Sequence, residues 1–281
     1  MNEAAWQKAF PDVDFNEYSP EGVKNEDYFR AGSGIATTNT YCIHHDRLVK
    51  TGIDGKFEEL HEAAVEEAKA ARKAAGHGKI AGSIGPLVAS YRPDVEPPHD
   101  EAVAKYAEVA RKLAPHVDFL LCETVASVAH ARSILEGAKT AGKPVWLSVT
   151  VDDEDGARLR SGEPVAEVVG IAKEGGADAL LANCSAPEAM EAALDVIKTA
   201  GLPFGAYANG FTMITKDFLK ESPTVDALSP RRDLGPETYA NFVMGWVNQG
   251  ATIVGGCCEV GPAHITEVAR RLREAGHEIE A

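Results

Sequence analysis

The sequence predicts an α/β fold: a (β/α)8 TIM barrel that lacks its usual first strand, with residues 1–281 as one domain. Three observations predict it. Seven short apolar, β-branched runs recur along the chain. Amphipathic helical patterns separate them. The helix-to-strand junctions repeat one punctuation, a small residue followed by Gly, at Ala31-Gly32, Ala141-Gly142, Gly175-Gly176 and Ala200-Gly201, with Gln249-Gly250 as a variant. Gly suits a helix end because it accepts the left-handed backbone at little cost. Alternating strands and helices imply a parallel sheet with right-handed crossovers.

In chain order, "SPEGVKNEDYFRAG" (19–32) reads as a helix. Ser19 is its candidate N-cap, Pro20 takes the first helical position and Glu21 lies in the first turn; Gly22 denies it a capping box. The strands follow as "GIATTNTY" (34–41), "KIAGSIGP" (79–86), "VDFLLCET" (117–124), "PVWLSVT" (144–150), "ALLANCS" (179–185), "FGAYANG" (204–210) and "TIVGGCC" (252–258). Each is short and largely apolar, as in a sheet covered on both faces. The helix after the first strand starts near Asp54 and ends at Gly76, with Phe57, Leu60, Ala64 and Ala68 on one face. Six more helices fall at 99–115, 127–142, 163–176, 186–201, 235–250 and 261–276. That makes eight helices but seven strands. An eighth strand belongs ahead of the first helix, and residues 1–18 hold no good candidate, being irregular and interrupted by Pro11. Residues 211–234 read as a long loop with a short helical turn.

Bulk properties narrow the function. The chain is 44% hydrophobic and 25% charged, with a net charge of -15. That disfavours nucleic acid or an anionic membrane surface as a partner, since both need basic patches. No stretch approaches the roughly 18 apolar residues of a membrane span. The start "MNEAAWQKAFPDVDF" lacks the basic and apolar regions of a signal peptide. Five cysteines, an odd number, then favour reduced thiols in a cytoplasm over a disulfide framework. No Gly-x-Gly-x-x-Gly follows a strand, which disfavours a dinucleotide site.

Active sites of such barrels lie at the C-terminal ends of the strands. Those ends gather Thr38, Asn39, Thr40, Ser83, Glu123, Thr124, Ser148, Thr150, Asn183, Cys184, Asn209, Cys257 and Cys258. Three thiolates converging on one point suit Zn²⁺, which takes four tetrahedral ligands and favours sulfur, and three protein ligands leave the fourth position open. Gly255 and Gly256 would let the backbone turn so that two successive side chains reach one ion. Cys122, inside an apolar run, reads as a small buried hydrophobe.

"IVGGCCEVGPAHI" resembles the C-terminal signature of the homocysteine S-methyltransferases, and "TTNTY", "LLCET" and "LLANCS" resemble that family's other strand ends in the same order. The resemblance covers roughly residues 20 to 275. It implies a zinc barrel with Cys184, Cys257 and Cys258 as ligands, and contacts from Glu123 and the Thr38–Asn39 region to the amino acid substrate. The implied reaction moves a methyl group from a small sulfonium or quaternary ammonium donor to the thiol of homocysteine, giving methionine. A thiol of ordinary pKa is mostly protonated at neutral pH, and zinc would remove that proton. Folate-linked or corrinoid-linked transfer would need further domains.

The family's opening "DGGMGTE"-like turn has no counterpart here, in agreement with the strand count. A sheet short of one strand has two edges and invites pairing with another copy of the chain. The alternative function is a non-catalytic zinc- or thiol-binding barrel that lost activity with its first strand. A Schiff-base aldolase is disfavoured, because Lys79 and Lys143 lie at the wrong ends of their strands. Cys42 reads as a displaceable fourth ligand or an ordinary thiol, and Glu259 as support for a ligand or a solvated loop residue. His44 and His45 read as a solvated segment and His264 as a first-turn helix residue. "VDDEDGARLRSGEP" (151–164) reads as a loop over the barrel mouth, with Asp152 or Asp153 lining a donor pocket.

Overall fold

The computed structural model describes residues 24–212 and 230–280. The expectations for residues 1–18, for the Ser19 cap and for most of the 211–234 loop lie outside them. Among the described residues all seven strands form. They are β1 (Ile35–Thr37), β2 (Lys79–Ile84), β3 (Phe119–Val125), β4 (Val145–Val149), β5 (Ala179–Asn183), β6 (Phe204–Tyr207) and β7 (Ile253–Val254). Every neighbouring pair is parallel and the sheet order is the chain order. That is a curled sheet of TIM-like order. The eighth strand position, expected ahead of the first helix, falls outside the described residues, so the barrel is established as a seven-strand sheet.

The helices are α1 (Asn25–Arg30), a short α2 (His45–Leu48), α3 (Phe57–Ala75), α4 (His99–Leu113), α5 (Val128–Lys139), α6 (Val165–Glu174), α7 (Met190–Ile197), α8 (Pro236–Asn248) and α9 (Pro262–Glu274). Only α2 was not expected. At α1 the carboxylate of Asp27 accepts from the backbone N–H of Lys24 at 2.9 Å, closing the first turn from the N-terminal side. Gly32, Gly142, Gly176, Gly201 and Gly250 all take positive φ, as the junction pattern requires.

Alternation along the strands separates two cores. Phe119 and Leu121 of β3 point inward with Ala81, Trp146, Leu181 and Tyr207. Leu120 and Cys122 point outward into the larger core under the helices. Cys122 is thus a buried outer-core residue, with its thiol pushed far up by burial. The helical layer is continuous from the last strand to the first. A Cβ on Gly32 would lie 2.9 Å from that of Ala269 in α9, and the Tyr28 hydroxyl donates to the carbonyl of Val260 at 3.3 Å.

In the segment "HHDRL", expected to be solvated, His44 is buried while His45 stays partly exposed. His44 is 1% exposed, and its Nε2 bonds the carbonyl of Gly85 at 3.0 Å. Burial and the nearby Arg47 charge push its pKa down to about 3. His45 stacks on Phe57 and bonds Asp54. The buried His44 ring packs edge-on against Tyr106 of α4. His264 is the third residue of α9, in its first turn.

Candidate metal centre

The polar strand ends meet at one rim, and the backbone there is unusual. Thr124 near the end of β3, Cys184 just past β5 and Glu259 in the loop after β7 have φ of 60°, 50° and 65°. For residues with a Cβ this region costs energy, and such residues cluster at working sites. Thr124 is held by Asn183, whose Oδ1 accepts its N–H at 2.9 Å and whose Nδ2 donates to its hydroxyl at 3.0 Å. The register of β3 against β4 breaks between Cys122 and Val125 to admit this turn. Asn183 therefore shapes the rim from within.

The sulfurs of Cys184, Cys257 and Cys258 all lie within 4.8 Å of one another. Three backbone bonds string their loop to the end of β6: Gly255 N–H to Ala206, Cys257 N–H to Ala208, and Gly210 N–H to the carbonyl of Cys258. Gly256 is required by close approach, since a Cβ there would lie 2.1 Å from Val260. Neither Gly255 nor Gly256 has positive φ. The glycine pair thus works through packing at Gly256 and not through a left-handed turn.

Cys184 and Cys257 are joined as a disulfide, and Cys258 is a free thiol with its sulfur 4.0 Å from that of Cys257. The odd cysteine count favours reduced thiols over a disulfide framework; Cys42, Cys122 and Cys258 are free thiols and this one pair departs from that expectation. The reason is convergence: side chains 73 residues apart in sequence are brought to one point. The adjacent pair is not the bonded one, as ring strain dictates. Cys258 is exposed at the rim, and the nearby charge of Glu123 acts to raise its thiol. Three sulfurs this close, one after β5 and two on the loop after β7, fit a thiophilic metal such as zinc once the disulfide is reduced.

Glu123 is 8% exposed and faces the barrel interior. The Ser83 hydroxyl donates to its Oε1 at 2.5 Å and the Tyr207 hydroxyl to its Oε2 at 3.1 Å. Burial raises its pKa; these two bonds act in the opposite direction. Each carboxylate oxygen keeps one lone pair free, so a substrate cation can still be held. Thr38 is buried, and its hydroxyl meets that of Thr40 at 2.7 Å and accepts the N–H of Ser83 at 3.1 Å. Asn39 is exposed beside it. Cys42 is exposed, accepts from Arg47 at 3.5 Å and is not in the three-sulfur group. Glu259 is exposed and strained.

Residues 151–164 form a packed hairpin, with bridges Val151 to Leu159 and Arg158 to Pro164. Asp152 caps its own turn through Glu154 and Asp155. Asp153 is engaged by both terminal nitrogens of Arg160. Tyr207 was missed by the sequence reading. The signal was present in "FGAY", where counting back in twos from the strand end turns Tyr207 inward.

A model of the family described as homocysteine S-methyltransferase matches residues 14–272. The chain belongs to the homocysteine S-methyltransferase family. It is a methyltransferase by that membership. It is 28% identical over 266 residues to the homocysteine S-methyltransferase of Escherichia coli strain K12, covering 87% of this chain and 82% of that one. A 28% match to homocysteine S-methyltransferase 4 of Zea mays spans 57% of this chain and only 46% of the maize protein. In three dimensions it is similar to the metallated form of the homocysteine methyltransferase MmuM from Escherichia coli. The TM-score is 0.74 with 25% identity, over 95% of this chain and 88% of that chain. Among the described residues, no helix is long and apolar enough to cross a membrane.

Proposed function

We propose that the protein transfers a methyl group from a small sulfonium or quaternary ammonium donor to the thiol of homocysteine, giving methionine. The observation that carries this reading is the convergence of the Cys184, Cys257 and Cys258 sulfurs on the rim that also holds buried Glu123. In the reduced protein these three cysteines hold Zn²⁺, and residues 1–281 act as one domain. Bound zinc supplies acidity, so that the substrate thiol reacts as a thiolate near neutral pH.

The chain's own residues do the positioning. Glu123 takes the substrate ammonium on its free lone pairs, with Ser83 and Tyr207 fixing the plane of the carboxylate. Thr38 acts one step back: it receives the N–H of Ser83, whose hydroxyl holds Glu123. Asn39, exposed at the same strand end, contacts the amino acid from the solvent side. A cationic donor is drawn by the acidity of the protein, and loses its charge as the methyl group leaves.

The test is metal content followed by assay. The full chain, purified reduced, should hold about one zinc per chain, the number a three-cysteine site implies. With homocysteine it should then form methionine from S-methylmethionine, S-adenosylmethionine or betaine. Absence of zinc from folded, reduced protein overturns the metal reading. Zinc-loaded protein inert toward all three donors would favour the non-catalytic barrel.

A further inference from the structure

The strained backbone of Cys184 is held from outside its own strand. Its N–H donates to the carbonyl of Tyr207 at 3.1 Å, and its carbonyl accepts from the Thr150 hydroxyl at 3.3 Å. The next residue, Ser185, meets the same hydroxyl at 3.0 Å and accepts the N–H of Val151 at 2.9 Å. The N–H of Ala186 then donates to Oδ1 of Asp153 at 2.8 Å. Asp153 is itself gripped by both terminal guanidinium nitrogens of Arg160, at 2.8 and 2.9 Å. Arg160 Nε also reaches the Thr150 hydroxyl at 3.4 Å, and the guanidinium lies over the Tyr91 ring at 5.5 Å. The Arg160 and Asp153 side chains are only 12% and 17% exposed. One fork thus orients both groups, Thr150 and Asp153, that fix the backbone on the C-terminal side of Cys184.

We propose that Arg160 and Asp153 are a positioning pair for Cys184, holding its left-handed backbone so that its sulfur meets those of Cys257 and Cys258. This rests on the reading that the three thiolates hold a metal. The planar guanidinium suits the task because it bonds both carboxylate oxygens at once and fixes their plane, which a lysine cannot do. A residue with a Cβ keeps φ near +50° only where its surroundings over-determine it. Removing the fork takes away the two bonds that fix the plane of the Asp153 carboxylate under the Ala186 N–H, and Cys184 relaxes toward ordinary φ with its sulfur displaced. Groups that orient metal ligands typically change metal affinity about 10- to 100-fold when mutated.

The experiment uses the reduced full-length protein with D153N, R160Q and a control, R158Q. Arg158 lies in the same hairpin and pairs with Asp155 at 3.3 Å, half exposed. Zinc affinity is read by chelator competition, and geometry by the thiolate-to-metal band of the cobalt-loaded protein. Disulfide closure between Cys184 and Cys257 is timed in metal-free protein, with oxidised glutathione taking up the two electrons. D153N and R160Q should bind zinc about 10- to 100-fold more weakly, shift the cobalt band and slow closure, while R158Q matches wild type. Zinc affinity within twofold of wild type in D153N and R160Q overturns the proposal, as does equal weakening in R158Q. Should a single variant unfold because one buried charge is left alone, the D153N/R160Q double variant removes both and carries the same test. Failure of wild type to take up metal would instead overturn the proposed function. Closure rates would then decide the pair by themselves, and an unchanged rate would sink it.

Discussion

The hydroxyl of Tyr207 reaches Oε2 of Glu123 across the barrel interior at 3.1 Å, joining β6 to β3. Desolvation raises the pKa of this acid and the Tyr207 bond works against that rise. Only the ionised carboxylate can hold an ammonium group. In Y207F the acid should therefore titrate at higher pH, and the acidic limb of the homocysteine kcat/KM profile should move up. E123Q keeps the shape but not the charge. It should raise the KM for homocysteine about 10- to 100-fold, the value of a charged hydrogen bond. An unchanged KM in E123Q would remove Glu123 from the substrate site.

Two cysteines should show opposite signatures. C257S should lose bound zinc and keep its fold, because the serine oxygen is a poor replacement for thiolate and the position is at the rim. C122S should keep its zinc and lose stability by about 1–3 kcal/mol, since Cys122 is fully buried in the outer core and a hydroxyl there is desolvated. Elemental analysis and denaturant unfolding of both variants check the pair. Full zinc in C257S would contradict the ligand assignment.

Stability should fall on acidification, with a defined shape. His44 and His130 are buried and held down to about 3, in each case by burial and then by the charge of Arg47. Between an unfolded value of about 6.5 and that lower value, the unfolded chain binds more protons than the native one, so native stability falls with pH. Each histidine contributes at most about 1.4 kcal/mol per pH unit in that window. Glu96 opposes this. Burial raises it to about 7, against the Tyr106 hydrogen bond, so its contribution grows as pH falls from 7 and is complete near its unfolded value of about 4.5. The loss should steepen below about pH 4.5. E96Q, which retains an acceptor for the Tyr106 hydroxyl, should steepen the slope between pH 4.5 and 7. Urea unfolding at a series of pH values measures both.

Gly156 sets the seat of the 151–164 hairpin. A Cβ there would lie 1.9 Å from the carbonyl oxygen of Ala189, where backbone cannot yield cheaply. G156A should cost about 1–3 kcal/mol by overpacking. The mutation should also weaken zinc binding, because the hairpin carries Asp153 and Arg160. G162A faces open space with φ of +85°, so it should cost about 1 kcal/mol of backbone strain and leave metal affinity unchanged. Melting and chelator competition compare the two.

The alternation of apolar runs with Gly-terminated helices was legible because burial on both sheet faces and left-handed helix ends are local demands. "KIAGSIGP" and "VDFLLCET" announced their strands for that reason. The convergence of Cys184 with Cys257 and Cys258 was legible too, since barrel topology sends all strand ends to one rim. The burial of His44 was not. Its neighbours His45, Asp46 and Arg47 look like a surface, and only tertiary packing against Gly85 and Tyr106 takes its ring inside. The Arg160–Asp153 fork was hidden in the same way: "VDDEDGARLR" is acidic and Gly-containing, and nothing local marks which acid pairs with which arginine. Tyr207 was available to a period-of-two count that stopped at the strand's apolar character.

The left-handed residues at and beyond three strand ends have a consequence for how the molecule opens. Thr124, Cys184 and Glu259 each hold backbone that relaxes once its local contacts are released. Rim amides should therefore exchange their hydrogens through small local openings, while the strand interiors wait for global unfolding. A metal bound to the three sulfurs raises the free energy of those rim openings but not of fluctuations elsewhere. Zinc would then be visible in exchange as slow amides confined to residues 183–186 and 255–260, a record of occupancy written in the backbone.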